Sequence, residues 1–333
     1  MTDTRYDVLA IGNAIVDVMA AAEDDFLARH AMNKGGMTLI DADQARNIYA
    51  DMGKAQEISG GSAANTLAGL AELGARCAFV GQVANDQLGE IFAHDIRAAG
   101  VDFTTAAREG EPPTARCLIL VTPDGQRTMN TFLGASQFLP ANALDEELIA
   151  SAGILYLEGY LWDPEEPRNA MLKAIDIARA AGRKVAFTMS DAFVIDRYRD
   201  DFQTLLDAGK IDILFANEVE IKSLTQIDDF DEAVAKVAPQ VPTLAVTRGP
   251  DGAVAMHQGE YASVRAQPIE KVVDTTGAGD LFAAGFLKGM VDGRPVSQCL
   301  TMGAIAAAEI ISHFGARSEA RLSELVAEQL PAH

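Results

Sequence analysis

Cysteine is scarce in this chain: three in 333 residues, at Cys77, Cys117 and Cys299, with no CxxC spacing. That excludes a disulfide framework and a zinc site, and leaves reduced, mostly buried thiols as the expectation. Basic residues are short as well. Lys and Arg total 27 against 48 Asp and Glu, a formal net charge of −21. Nucleic acid and anionic membrane are therefore excluded as partners. Any phosphate site must draw positive potential from backbone amides, a few local cations or a metal. No run approaches the ~20 apolar residues of a membrane span, and the most apolar stretch, around 300–312, carries Glu309. The start, MTDTRYDVLAIG, lacks the basic and apolar regions of a secretory leader and moves directly into a strand-like run. A cytoplasmic protein with small-molecule partners, monomeric or homodimeric, is expected. Repeats, low-complexity tracts and linkers are also missing, so residues 1–333 read as one domain.

What is present is an alternation. Short apolar runs at 6–12, 76–81, 153–159, 184–189, 211–217 and 243–249 look like parallel strands covered on both faces. Helical periodicity fills 62–73, 86–99, 142–151, 165–181, 218–225 and 230–238, then 277–291, 296–312 and 318–329. The fold class predicted is α/β: a doubly wound, mostly parallel sheet with ligands at the carboxyl ends of its strands. Two segments break the pattern. Residues 13–40 are strand-like without a long helix between the runs. Residues 113–134 contain the turn Pro123-Asp124-Gly125 between extended stretches. They predict a small antiparallel sheet beside the main one.

The sharpest chemical signal is DTTGAGDLFAAGFL, residues 274–287. A helix starting near Gly277 has first-turn N–H groups without acceptors, and its glycines let a ligand approach the backbone. Asp274, Thr275 and Thr276 can cap it. Asp280 faces the same end, where it could accept a proton from an alcohol while the amides hold a phosphoryl group. The plainer alternative is a capped helix with a charge–dipole contribution of about 0.3–1 kcal/mol. Phosphate-loop alternatives fail: there is no GxxxxGK[ST], and Phe282 stands where a dinucleotide fingerprint needs glycine. A second cluster puts Gly60 and Gly61 before a helix with Ser62 and Asn65 in its first turns. Asn13 and Asp17 follow the first strand. A carboxylate among amides suits vicinal sugar hydroxyls, although a turn or cap role is the commoner one for such an Asp. The five histidines, His30, His94, His257, His313 and His333, show no paired spacing and receive no role.

These two glycine patterns, Gly60-Gly61…Asn65…Gly74…Gly81…Asp86…Gly89 and 274–287, resemble the two signatures of the ribokinase, or PfkB, family of carbohydrate and nucleoside kinases. The likeness extends over almost the whole chain. It implies a three-layer α/β/α core with a small β-sheet lid, formed by approximately 13–40 and 113–134. It implies transfer of the ATP γ-phosphate to a hydroxymethyl group. By the same resemblance Asp280 is the catalytic base and Gly277, Ala278 and Gly279 form the anion hole. Asn217 and Glu220 in FANEVE match the NxxE motif that organises Mg²⁺ through water; unaided, they read equally as a helix cap. Thr247, Arg248 and Gly249, with Thr276, match nucleotide contacts. Ala307, in 306–316, matches the wall of the base site. K⁺ near Asp274 and the 312–315 loop is a further family feature. The long stretch between Asp17 and Gly60 is similar to the family's adenosine kinases. On that likeness Arg127 reaches the phosphates, Met37 and Thr38 line the base pocket, and Tyr160 or Trp162 stacks on a purine. The activity implied is ATP-dependent phosphorylation of a nucleoside, adenosine first, at its 5′-hydroxyl. The alternatives are a kinase of free ribose, fructose or a keto-deoxy sugar acid, and a nucleoside-binding protein without catalysis; the retained Asp280 and glycine turn disfavour the last.

Overall fold

The structure is a computed structural model that describes residues 4–330 except Gly125. Its large sheet has nine strands. Seven run parallel, in the order Thr243–Thr247, Ile213–Asn217, Lys184–Thr188, Ala152–Glu158, Tyr6–Ile11, Cys77–Val80 and Val101–Phe103. An antiparallel hairpin, Ala253–His257 and Glu260–Val264, extends one edge. All six sequence-predicted strands are present. Successive side chains of a strand enter opposite layers, as the two-residue period requires. Leu9, Ile11, Leu155, Leu157 and Phe187 pack against the helices Glu165–Ala180, Ala192–Asp207 and Glu218–Thr225. Val8, Ala10, Ile154, Tyr156 and Ala186 pack against Ser62–Glu72, Gln87–Ala98, Ala278–Val291 and Val296–Ile310. Burial on both faces is why these strands read as continuous apolar runs.

Four features differ from expectation. The small sheet is mixed rather than antiparallel. Its order is Met37–Leu39, Arg127–Phe132, Ala115–Val121, Ile15–Ala21, Gln56–Gly60, and Ile15–Ala21 runs parallel to Ala115–Val121. Gln56–Gly60 contributes a strand from beyond the predicted segments. Helices Asp24–Arg29 and Ala42–Asp51 lie where no helix was predicted. The second is capped by Asp41 and Gln44 in a reciprocal box, a local signal that the strand-like flanks obscure. Helix Ala192–Asp207 was also missed. Its apolar positions, among them Val194, Ile195, Phe202, Leu205 and Leu206, are diluted by Asp and Arg, and it is kinked at Tyr198. The predicted 123–125 turn falls partly outside the described residues, because of Gly125. Among the described residues no helix is long and apolar enough to cross a membrane.

Candidate active site

Two helix starts face each other at the carboxyl end of the large sheet. One follows Gly61, whose φ is 95°; a Cβ there would lie 2.3 Å from the Asn13 carbonyl oxygen. The other follows Gly277, with φ of 79°. Both turns need the left-handed conformation that glycine adopts without strain. Between them Asp280 Oδ1 accepts from Ser62 Oγ (2.6 Å) and Oδ2 from Asn65 Nδ2 (3.0 Å). Burial pushes the Asp280 carboxyl above its ordinary range, opposed by these two hydrogen bonds and by the Arg317 guanidinium. The N–H groups of Gly279 and Asp280 stand in a first turn, where the helix itself supplies no acceptor.

The small sheet closes over this point. Asp17 sits on it above Gly60, where a Cβ would crowd both carboxylate oxygens. Burial drives the Asp17 carboxyl up to about 7; Arg317 and Arg127 pull it down, and Asp280 and Asp274 push it up. Register sets what surrounds Asp17. One cross-strand row reads Met37, Met129, Ile119, Met19, and the next Leu39, Thr131, Cys117, Asp17. Ile15, Ala115, Cys117 and Ile119 form an apolar cluster on this face, with Met19, Val121 and Met129 beside it. The opposite face, Val16, Val18, Leu118 and Leu120, is buried with Phe26, Leu27 and Ile48 of the two unpredicted helices.

Asn13 is held from below. Its N–H (2.8 Å) and Nδ2 (2.7 Å) donate to Glu158 Oε1, and Ala63 N–H donates to Oε2 (2.7 Å). Glu158 is fully buried at the end of a central strand. Burial pushes its carboxyl up to about 7 against those amide donors.

Arg127 reaches the opposite end of the site from the small sheet. Its Nη2 lies 2.7 Å from Asp274 Oδ2 and its Nη1 donates to Thr276 Oγ1 (3.3 Å). Asp274 Oδ1 also accepts from Thr276 N–H and Oδ2 from Gly315 N–H, each at 3.0 Å. Two backbone amides and the Arg127 guanidinium thus engage this carboxylate.

The residues expected to contact nucleotide line up along adjacent strand ends. Asn217 and Thr247 are register partners. Asn217 Oδ1 accepts from Glu220 N–H (2.9 Å), while Glu220 accepts from Asn217 N–H (2.9 Å) and Nδ2 (2.6 Å), a capping box. Glu220 is buried, which pushes its carboxyl up to about 7. The motif caps the helix, with both Glu220 carboxylate oxygens accepting from Asn217. Among the described residues no group of three or more His, Cys, Asp or Glu is placed to hold a metal ion. Arg248 follows, with its guanidinium 4.0 Å from the Phe230 ring centroid and its Nε on Glu218 (3.4 Å). Gly249 opens the turn to the hairpin.

The structure brings Asn13, Asp17, Gly60, Gly61, Ser62, Asn65 and Asp280 together, with Gly277, Ala278 and Gly279 adjoining and Arg127 and Thr276 at one flank. Tyr160 lies in the turn after strand Ala152–Glu158, where burial and the carboxylates of Asp191, Asp280, Glu220 and Glu158 push its hydroxyl up. Trp162 does not reach the site. It is buried between Phe187 and Phe202, and its Nε1 donates to Asp201 (3.1 Å). Met37 shares a row with Met129 on an edge strand and is exposed. Ala307 is half-buried on helix Val296–Ile310. Two residues of the site went unpredicted. Glu158 had a readable signal, a lone carboxylate closing an apolar strand. Arg317 had none.

Comparison with known proteins places these observations. The model of the pfkB family carbohydrate kinases matches residues 35–321. A solved adenosine kinase from Sinorhizobium meliloti superposes with a TM-score of 0.91 at 47% identity, covering 98% of this chain and 100% of that one. A probable sugar kinase from Rhizobium etli CFN 42 superposes equally well, at 0.91 and 48% identity, covering 98% of each chain. Adenosine kinase 2 of Arabidopsis thaliana is 26% identical over 94% of this chain and 96% of its own length.

Proposed function

The chain belongs to the pfkB family of carbohydrate kinases and is a phosphotransferase with an alcohol acceptor, and from that premise we propose that it is an ATP-dependent nucleoside kinase, acting on the 5′-hydroxyl of adenosine. The observation that carries the nucleoside reading is the apolar wall beside Asp17. Met37, Met129, Ile119 and Met19 form one row across four strands, next to the carboxylate. A free sugar presents hydroxyls on every side and would leave such a wall without hydrogen-bonding work. A nucleoside gives its ribose hydroxyls to Asp17 and Asn13 and its flat base to thioethers, which adapt to aromatic faces.

In this reading the 5′-hydroxyl lies beside the Asp280 carboxylate and the backbone amides of the 277–280 turn. Its oxygen forms a bond to the γ-phosphorus of ATP as the bond from that phosphorus to the bridging oxygen breaks. The proton passes to Asp280 and ADP leaves. Backbone amides of the turn hold the equatorial oxygens, and Arg127 adds positive charge that an acidic protein otherwise lacks. Mg²⁺ on the ATP phosphates would neutralise charge there, with Glu220 and Asn217 holding its water shell. The small sheet, carrying both Asp17 and Arg127, acts as the lid that excludes water.

The similarity to a probable sugar kinase keeps one rival in view, phosphorylation of ribose or fructose. Thermal-shift titration with adenosine, inosine, guanosine, ribose and fructose, followed by ADP release from ATP, separates the two. Burial of a base should contribute ~3 kcal/mol or more, about a hundredfold in affinity over ribose. Ribose or fructose binding as tightly as adenosine would replace the nucleoside reading with the sugar one. Nucleoside binding without ADP release would leave a binding protein.

A further inference from the structure

Arg317 lies outside both glycine signatures, yet its guanidinium ends in the site. Nη1 donates to Asn65 Oδ1, and Nη2 donates to Ser59 Oγ (3.0 Å). Its backbone is anchored on either side. Gly315 N–H donates to Asp274, the Ser318 hydroxyl to Glu72, Glu319 and Ala320 N–H to Glu309 Oε1 (2.8 Å each), and Leu322 N–H to Glu72 (2.9 Å). The same loop touches the catalytic turn: a Cβ at Gly277 would lie 2.9 Å from the Ala316 Cβ.

Asn65 stands between Arg317 and Asp280. Its amide has one donating end and one accepting end. Arg317 can only donate, and an ionised Asp280 can only accept. A single orientation satisfies both neighbours, with Oδ1 on Arg317 and Nδ2 on Asp280 (3.0 Å). Without Arg317 the Oδ1 end loses its anchor, and the amide is held only through its single hydrogen bond to Asp280.

We propose that Arg317 is a positioning residue for phosphoryl transfer: it locks the Asn65 amide in the orientation that donates to Asp280 and so fixes the carboxylate beside the glycine turn. This rests on the reading of Asp280 as proton acceptor. The groups facing Asp280 make the consequence specific. Asp17 approaches from the small sheet, Glu158, Tyr156 and Tyr160 from the central strand and its following turn, and Ser62 and Asn65 from the opposed helix. Burial disfavours ionisation of Asp280, and the Ser62 and Asn65 hydrogen bonds and the Arg317 charge favour it.

The test compares wild type, Arg317→Met, Arg317→Lys, Asn65→Leu, the Arg317→Met/Asn65→Leu double variant and Asp280→Asn, with adenosine and MgATP. The readout is kcat against pH. In Arg317→Met the acid limb should move to higher pH by about one unit, with kcat roughly tenfold down below the limb and recovering above it. Arg317→Lys should move it less. In the Asn65→Leu background the Arg317 substitution should move the limb by clearly less than in wild type, because the part carried through the amide is gone and only the direct charge remains. A folded Arg317→Met protein, melting and binding an ATP analogue as wild type does, with an unmoved acid limb overturns the proposal. Should Arg317→Met fail to fold, an unmoved limb in Arg317→Lys overturns it equally. If Asp280→Asn stays active, the proton-acceptor reading falls and takes this one with it. If Asp280→Asn is inactive and the limb does not move, only the role of Arg317 falls.

Discussion

Gly60→Ala should damage acceptor binding while sparing the fold. Gly60 ends the strand Gln56–Gly60, so its extended backbone accepts alanine. The new Cβ would stand 2.5 Å from Asp17 Oδ2 and 2.7 Å from Oδ1. Ordinary non-bonded contact is roughly 3.5 Å, so the carboxylate must retreat by about 1 Å. It is the free end of a side chain and can do so by rotating, which limits the stability cost to about 1 kcal/mol. The cost to function is larger. Charge-assisted hydrogen bonds contribute about 1.5–3 kcal/mol each, and a 1 Å displacement weakens both that Asp17 would make to vicinal hydroxyls. A loss of about 2–3 kcal/mol raises the acceptor KM roughly 30- to 200-fold. Steady-state kinetics with adenosine and ATP varied separately, beside a thermal melt, measure the two effects. An acceptor KM within threefold of wild type refutes the placement of Asp17 at the acceptor. A raised KM for ATP alone puts Asp17 at the wrong end of the site.

The neighbouring glycine should fail differently. Gly61→Ala places a Cβ 2.3 Å from the Asn13 carbonyl in a left-handed residue, so about 2–4 kcal/mol of stability should be lost in urea unfolding; an unchanged midpoint contradicts the strain. Asp280→Asn should lower kcat by about 10²–10⁴ and retain the thermal shift with adenosine; activity within a few-fold of wild type makes Asp280 a helix-capping charge only. With Asp17 pushed up to about 7, adenosine binding should weaken as pH falls below that value, toward tenfold per unit. The folded-state value lies above the ordinary one near 4, so the native protein takes up a proton between them. The contribution of Asp17 to stability therefore declines as pH rises through that window. Asp17→Asn should raise Tm more at pH 8 than at pH 5, and the opposite order in differential scanning calorimetry refutes the assignment.

What the sequence disclosed was what repeats or what glycine alone can do. Strands buried on both faces appear as apolar runs, and the turns at Gly61 and Gly277 announce themselves because backbone geometry there excludes other residues. Trp162 misled because a ring shortly after a strand end can point either way, and tertiary packing against Phe187 and Phe202 decided it. The parallel pairing of Ile15–Ala21 with Ala115–Val121 joins segments about a hundred residues apart in the chain and leaves no local trace. Arg317 was invisible for a related reason. Its contacts, Ser59 and Asn65, are more than 250 positions away, and an arginine near the chain's end carries no period or motif.

The row of Met37, Met129 and Met19 also carries a chemical liability. Thioether sulfur is oxidised by peroxide to sulfoxide, which turns an adaptable apolar side chain into a polar, stiffly hydrated one. Met37 is exposed, and Met19 and Met129 are only half-buried, so oxidant can reach the wall that flanks Asp17. The buried thiol of Cys117 is shielded by comparison, held as the neutral form by its surroundings. Peroxide should therefore abolish adenosine binding ahead of any loss of fold, and methionine sulfoxide reductases should restore it. A protein whose binding survives complete sulfoxidation of these three residues would show that the base does not rest on them.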